Sequence, residues 1–139
     1  MQIKLNQGAI MPAYQTEGAA GMDLHALLSE PVVLAPGQRR CVPTGVFVAI
    51  PPGLEGHIRP RSGHANRNGI TTLSGTIDSD YRGELAANLI NLGQENFVIR
   101  SGDRIAQIVF APIVRASFNQ VDELDETVRG ERGFGSTGV

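Results

Sequence analysis

The chain has no tryptophan, a single cysteine, a single lysine and few aromatic residues. With aromatics at 5 % of 139 residues, its core has to be built from Val, Ile, Leu and Ala. The lone Cys41 excludes a disulfide within the chain and points to a reducing compartment. No run approaches the roughly 18 apolar residues of a membrane span, and the opening MQIKLNQGAI lacks the apolar stretch of a signal peptide. A soluble, cytoplasmic protein with no membrane contact is expected. Excess positive charge is missing too. The net charge of −2 offers no general reason to expect a nucleic-acid partner.

What is present is an ordinary globular composition, 41 % hydrophobic, at a length that suits one domain with one core. The basic residues are eleven arginines against Lys4. Codon bias is the bland explanation. The sharper one is that several arginines grip phosphate oxygens, which a planar guanidinium does better than an ammonium.

Seventeen glycines and eight prolines are spread along the chain, so a helix would meet a breaker within about two turns. The pieces between them are short and rich in β-branched residues: QIKL, GMDLHALL, PVVLAP, TGVFVAI, LEGHIRP, ITTL, GELAANLINL, NFVIR and RIAQIVFAPIVRASFNQV. These read as strands, with turns at pairs such as Pro36-Gly37 and Pro52-Gly53. The pattern predicts an all-β sandwich or barrel with one short helix over Ser62 to Asn68. Hydrophobic content drops from Asp122 onward. Residues 1–121 are therefore read as the β domain and 122–139 as a mobile C-terminal tail.

Five segments carry candidate chemistry. In AAGMDLHA, Asp23 sits among apolar neighbours on a strand, where Asp is disfavoured; it could orient a metal's water shell or, more commonly, pair with an arginine. In RPRSG, Arg61 offers a fork and Ser62 a hydroxyl at the start of the short helix, a possible phosphate seat, or simply a capped helix. In GTIDSDYRGE, Thr76-Ile77-Asp78 reads as a strand, Ser79-Asp80 as a turn and Tyr81-Arg82-Gly83 as the start of the return, which makes a hairpin. Asp80 is a natural turn residue, whereas Asp78 within the strand could take a proton from an attacking water. In GDRIAQIVF, Gln107 inside an apolar run needs a partner or a wet cleft. The end, RGERGFGSTG, combines Arg129, a cluster of glycines, Ser136 and Thr137, which suit an anion, with Phe134, which can stack on a planar base. No Gly-Lys-Ser/Thr follows, so it is not a Walker loop, and no helix follows, so it is not a dinucleotide fingerprint.

Taken in chain order, AGMDLHA, RPRSG, GTIDSDYRGE, GDRIAQ and RGERGFGSTG resemble the five motifs of the trimeric deoxyuridine triphosphatases, over nearly the whole chain. The resemblance implies a jelly-roll-like distorted β-barrel assembled as a homotrimer, with sites between subunits and the tail crossing to close a neighbour's site. It implies hydrolysis of dUTP to dUMP and pyrophosphate, with Asp78 as the base that activates water against the α-phosphorus. Mg²⁺ would be the cofactor, reached by Asp23 and Gln107 through water. Arg61, Ser62, Gly63 and Gln107 would hold the phosphates; Arg129, Gly135, Ser136 and Thr137 would close over them; and Phe134 would cover the uracil. Tyr81 would pack on the deoxyribose, while Thr72, Gly75, Thr76, Ile77 and Ala86 would surround the base.

The chain departs from the family pattern in places. The approach TTLSGTID is about two residues shorter than usual, with Thr72 where an Asn is expected. His64 replaces an apolar residue after RSG, and Arg132 replaces a Gly. A related class on this fold deaminates dCTP with a Glu where this chain has Asn88, and a zinc deaminase would need more than one cysteine. A non-catalytic nucleotide-binding trimer with a regulatory or scaffold role is the alternative from a different class.

Overall fold

The β-branched segments form eleven strands in the computed structural model, which describes residues 1–73 and 75–133. They are β1 (Gln2–Leu5), β2 (Ala13–Tyr14), β3 (Met22–His25), β4 (Val32–Leu34), β5 (Arg39–Ala49), β6 (Leu54–Arg59), β7 (Ile70–Thr72), β8 (Thr76–Ile77), β9 (Leu85–Asn91), β10 (Phe97–Ile99) and β11 (Arg104–Pro112). The single helix, α1 (Ser62–Asn68), occupies the span its composition predicts. It ends at Gly69, whose φ of 69° lets its N–H bond back to the Ala65 carbonyl.

All strand pairs are antiparallel. One sheet runs β1-β5-β9-β7, a second β2-β3-β11-β6-β8, and a small third joins β10 to β4. Between them lies a core whose buried hydrophobic residues are only Leu, Ile, Val and Ala, as the scarcity of aromatics requires. The period-two pattern is clearest in β9, where Leu85, Ala87, Leu89 and Asn91 face inward. The buried Asn91 is satisfied: Nδ2 donates to the Leu34 and Glu95 carbonyls at 2.8 Å each, and Oδ1 accepts from Gly93 N–H at 2.9 Å. The arrangement is the expected jelly-roll-like distorted β-barrel with one short helix.

Two details differ from the sequence reading. The GTIDSDYRGE segment is not a hairpin. Its turn at Ser79-Asp80 is present, closed by Tyr81 N–H to Asp78 O at 3.1 Å. However, β8 pairs with β6 in one sheet and β9 pairs with β5 and β7 in the other. The turn is a crossover between sheets, which local turn chemistry does not distinguish from a hairpin. The last strand is also shorter than RIAQIVFAPIVRASFNQV suggests. Its partner β6 begins at Leu54, opposite Pro112. Past the Ile113 N–H bond to Gly53 O the chain continues without strand structure through residue 133.

A bulge in β5 between Pro43 and Val46 is secured from the adjoining strand. Glu84 Oε1 accepts from Thr44 N–H at 3.1 Å and Gly45 N–H at 2.6 Å, and the Thr44 hydroxyl donates to Leu85 O at 2.5 Å. Gly45 has a φ of 70°, and a side chain there would run into Leu27 and Ala9. Because Glu84→Ala strands two part-buried N–H groups, it should lower unfolding free energy by about 2–3 kcal/mol. Chemical denaturation at fixed protein concentration checks this, with Glu84→Gln expected to recover part of the loss.

Candidate active site

Three adjacent strands bring the first cluster together. β11 lies between β3 and β6, and the register sets Gln107 opposite Asp23 on one side and Arg59 on the other. Asp23 is only 7 % exposed, and a carboxylate taken so far from water has to be paired. Arg61 Nε reaches Oδ1 at 3.0 Å and Arg104 Nη1 reaches Oδ2 at 3.3 Å. Pairing with arginine, the commoner outcome for a strand Asp, is thus realised twice. Arg61 Nη1 also donates to the Arg104 carbonyl at 3.4 Å, while Nη2 has no partner among the described residues.

Gln107 meets its requirement through the backbone, donating from Nε2 to Pro60 O at 3.0 Å. Its Oε1 lies where a Cβ on residue 21 would be, so Gly21 is the residue that gives this amide its place. Ser62 is exposed at the start of α1, and Gly63 is half-buried beside it. The N-cap, Arg61, makes no side-chain capping bond. His25, opposite Arg104, is held below its ordinary pKa, chiefly by burial and further by Arg104 and Arg61, against the opposing pull of Asp23.

The second cluster sits at the far edge of the same sheet. Gly75 O accepts from Ile58 N–H at 2.8 Å, and a side chain at Gly75 would strike the His57 ring and the Ile58 carbonyl. β8 follows with Thr76 and Ile77. Asp78 comes just beyond it, exposed and in no ion pair among the described residues. It lines a cleft of about 390 Å³ together with Glu55, Thr76, Asp80 and Arg115. Tyr81 lies over Gly83, where a Cβ would overlap its ring, and its hydroxyl donates to Glu84 O at 3.1 Å. Arg82 ties the turn by donating to the Ser79 and Tyr81 carbonyls at 2.7 and 2.8 Å. Thr72 and Ala86 belong to the other sheet, opposite Leu89 and Pro43 respectively.

One chain does not unite the two clusters. Continuing the β8 register, Asp78 stands level with Glu55 and Ala111, whereas Gln107 and Asp23 stand level with Arg59. Four residue steps of strand are about 13 Å. Beyond Ile113 the segment exposes Val114, Phe118 and Val128 by 96, 99 and 95 %, and the bonds of Arg129 and Arg132 stay within residues 127–132. Phe134, Gly135, Ser136 and Thr137 lie outside the described residues. For a metal, the described residues offer no cluster of three His, Cys, Asp or Glu. With both Asp23 oxygens already bonded to arginines, the donor set suits a cation only through its water shell. Sequence reasoning missed Arg104 as the second partner of Asp23, and Gly21 and Gly83 as the residues that seat Gln107 and Tyr81. The motif spelling contains all three, but their partners are distant in sequence.

Comparison with known proteins identifies the family. The family model for dUTPase matches residues 7–138. The deoxyuridine 5'-triphosphate nucleotidohydrolase of Treponema denticola is 56 % identical over 98 % of this chain and 96 % of its own. The dUTPase of Staphylococcus bacteriophage 80alpha, solved with dUpNHpp, superposes with a TM-score of 0.86 at 32 % identity, covering 99 % of this chain and 98 % of that one. A mutant dUTPase from phage phi11 of S. aureus, which coordinates a structural Mg(II) ion, superposes with a TM-score of 0.80 at 28 % identity over 88 % of this chain and 96 % of that one. With a matching family model, a full-length relative and a shared fold, the chain belongs to the dUTPase family.

Proposed function

We propose that the chain hydrolyses dUTP to dUMP and pyrophosphate in the cytoplasm, as a homotrimer whose active sites close only between copies. That it is an enzyme follows from the family and its nucleotidohydrolase relatives. The observation carrying the reading is the separation of two half-sites on one chain. One has arginine and amide groups suited to phosphates, and the other has a carboxylate, in no ion pair among the described residues, beside the short strand that follows Gly75. A second copy can set one against the other. Its partner surface has a ready contributor in residues 113–128, whose apolar side chains are exposed on this chain. Residues 122–139 then serve as the tail that closes a neighbour's site. Among the described residues no helix is long and apolar enough to cross a membrane.

In this reading Arg61 uses its free Nη2 on the phosphate chain, with Ser62 and the Gly63 backbone beside it. Asp78 holds and deprotonates the water that attacks the α-phosphorus in line. An ordinary carboxylate, with a pKa near 3.9, is a weak base at neutral pH. Most of the acceleration therefore comes from alignment and charge neutralisation. Mg²⁺ carried in by the triphosphate would supply part of that neutralisation. Asp23 and Gln107, the latter through Oε1, would hold that ion by accepting hydrogen bonds from its water shell. Gly75, Thr76 and Ile77, with Ala86 and Thr72 from the other sheet, border the base. Tyr81, fixed by its bond to Glu84 O, packs on the deoxyribose and leaves no room for a 2′-hydroxyl. Arg129 reaches the terminal phosphate beside Gly135, Ser136 and Thr137, and Phe134 covers the uracil.

A pyrophosphate-release assay over dUTP, dTTP, dCTP and UTP, with the assembly mass measured in parallel, tests the reading. dUTP should be turned over, and UTP should be disfavoured by the roughly 1–3 kcal/mol that an overpacked atom costs. Binding without turnover in Mg²⁺ would select the scaffold alternative. Asp78→Asn should cut kcat by at least about 100-fold with nucleotide affinity kept within about tenfold; an unchanged kcat removes Asp78 from the chemistry. Truncation after Val128 should preserve the trimer and lower kcat sharply, and full activity would show that the tail takes no part.

A further inference from the structure

The register of β11 slips between Arg104 and Ala106. There the Arg104 carbonyl faces two side-chain donors. His64 Nε2 lies 3.0 Å away and Arg61 Nη1 lies 3.4 Å away. Both donors belong to the start of α1, three residues apart. Accepting from His64 is the better-formed of the two bonds, since 3.4 Å is at the weak end of the range. The His64 ring is set edge-on to Phe97, with centroids 5.2 Å apart and planes at 73°. Its Nδ1 is buried with no partner among the described residues. The carbonyl contact requires the proton on Nε2, so Nδ1 is the bare acceptor. An apolar residue would leave no such orphan nitrogen.

We infer that His64 is a positioning residue for Arg61. It donates to the same Arg104 carbonyl that Arg61 Nη1 uses and so fixes the acceptor against which the guanidinium is set. The guanidinium is then held at Nε by Asp23 and at Nη1 by that carbonyl, which leaves Nη2 for a nucleotide phosphate. Removing the imidazole donor unfixes the carbonyl and loosens that hold on Arg61.

This inference rests on Arg61 being a phosphate-binding residue, so the experiment tests both. His64→Phe keeps an aromatic edge against Phe97 and removes the donor; His64→Gln restores a donor. For His64→Phe, KM for dUTP should rise about 3–10-fold, the range of one ordinary hydrogen bond, with kcat within about twofold and the thermal midpoint nearly unchanged. His64→Gln should bring KM back toward the native value. Arg61→Ala, measured alongside, should raise KM by more. Should Arg61→Ala leave KM unmoved, the phosphate role of Arg61 fails and this inference with it. Should Arg61→Ala raise KM while His64→Phe does not, or should His64→Gln fail to rescue, the positioning role alone is overturned.

Discussion

A carboxylate removed from water must be neutralised where it sits, and the way Asp23 meets that demand organises much of this molecule. Its two oxygens take Arg61 and Arg104, so that β3, the start of β11 and the segment leaving β6 meet at one carboxylate. The bond to Arg104 ties β3 to the irregular start of β11. The bond to Arg61 ties both to the loop leaving β6. Part of the value of the arrangement is orientation. Arg61 is held at Nε and Nη1, and its other terminal nitrogen has no partner among the described residues. Breaking such a pair from one side leaves an uncompensated charge, which is more damaging than the pair is stabilising.

The same sheet sets the two clusters apart on one chain. The Asp23 row and the Asp78 row lie at different levels of the five-stranded sheet, with β6 and β11 spanning the gap in register. Rigid antiparallel pairing forbids either row from sliding to meet the other. Among the described residues the segment beyond Ile113 leaves side chains such as Phe118 exposed, which is costly in water.

Much of the fold was legible. Scarce aromatics dictated an aliphatic core, the LAANLIN alternation dictated one inward face, and SGHANRN between a Pro and a Gly delimited the helix. The crossover at Ser79-Asp80 was not legible, because a tight turn has the same local chemistry whether its arms pair with each other or with different partners. The length of the final strand was misread for a related reason. Ile113 to Val121 carries β-forming residues, but a strand needs a partner, and β6 offers none beyond Leu54. Within the candidate site, the motif spelling picked out Asp23, Arg61, Asp78 and Gln107. Arg104 and His64 escaped as partners because their contacts bridge some 40 to 80 positions of chain.

What the amino-acid order determined by itself was local and compositional: which segments extend, where they turn, what fills the interior, and which polar residues stand where burial makes them conspicuous. Tertiary structure alone decided which carboxylate is buried between arginines and which is exposed with no ion pair among the described residues. It also decided that the two belong to rows about 13 Å apart along the strands. The physical reason is that a charge's role depends on its distance to partners and to water, and those distances are set by strand register between segments that are remote in sequence.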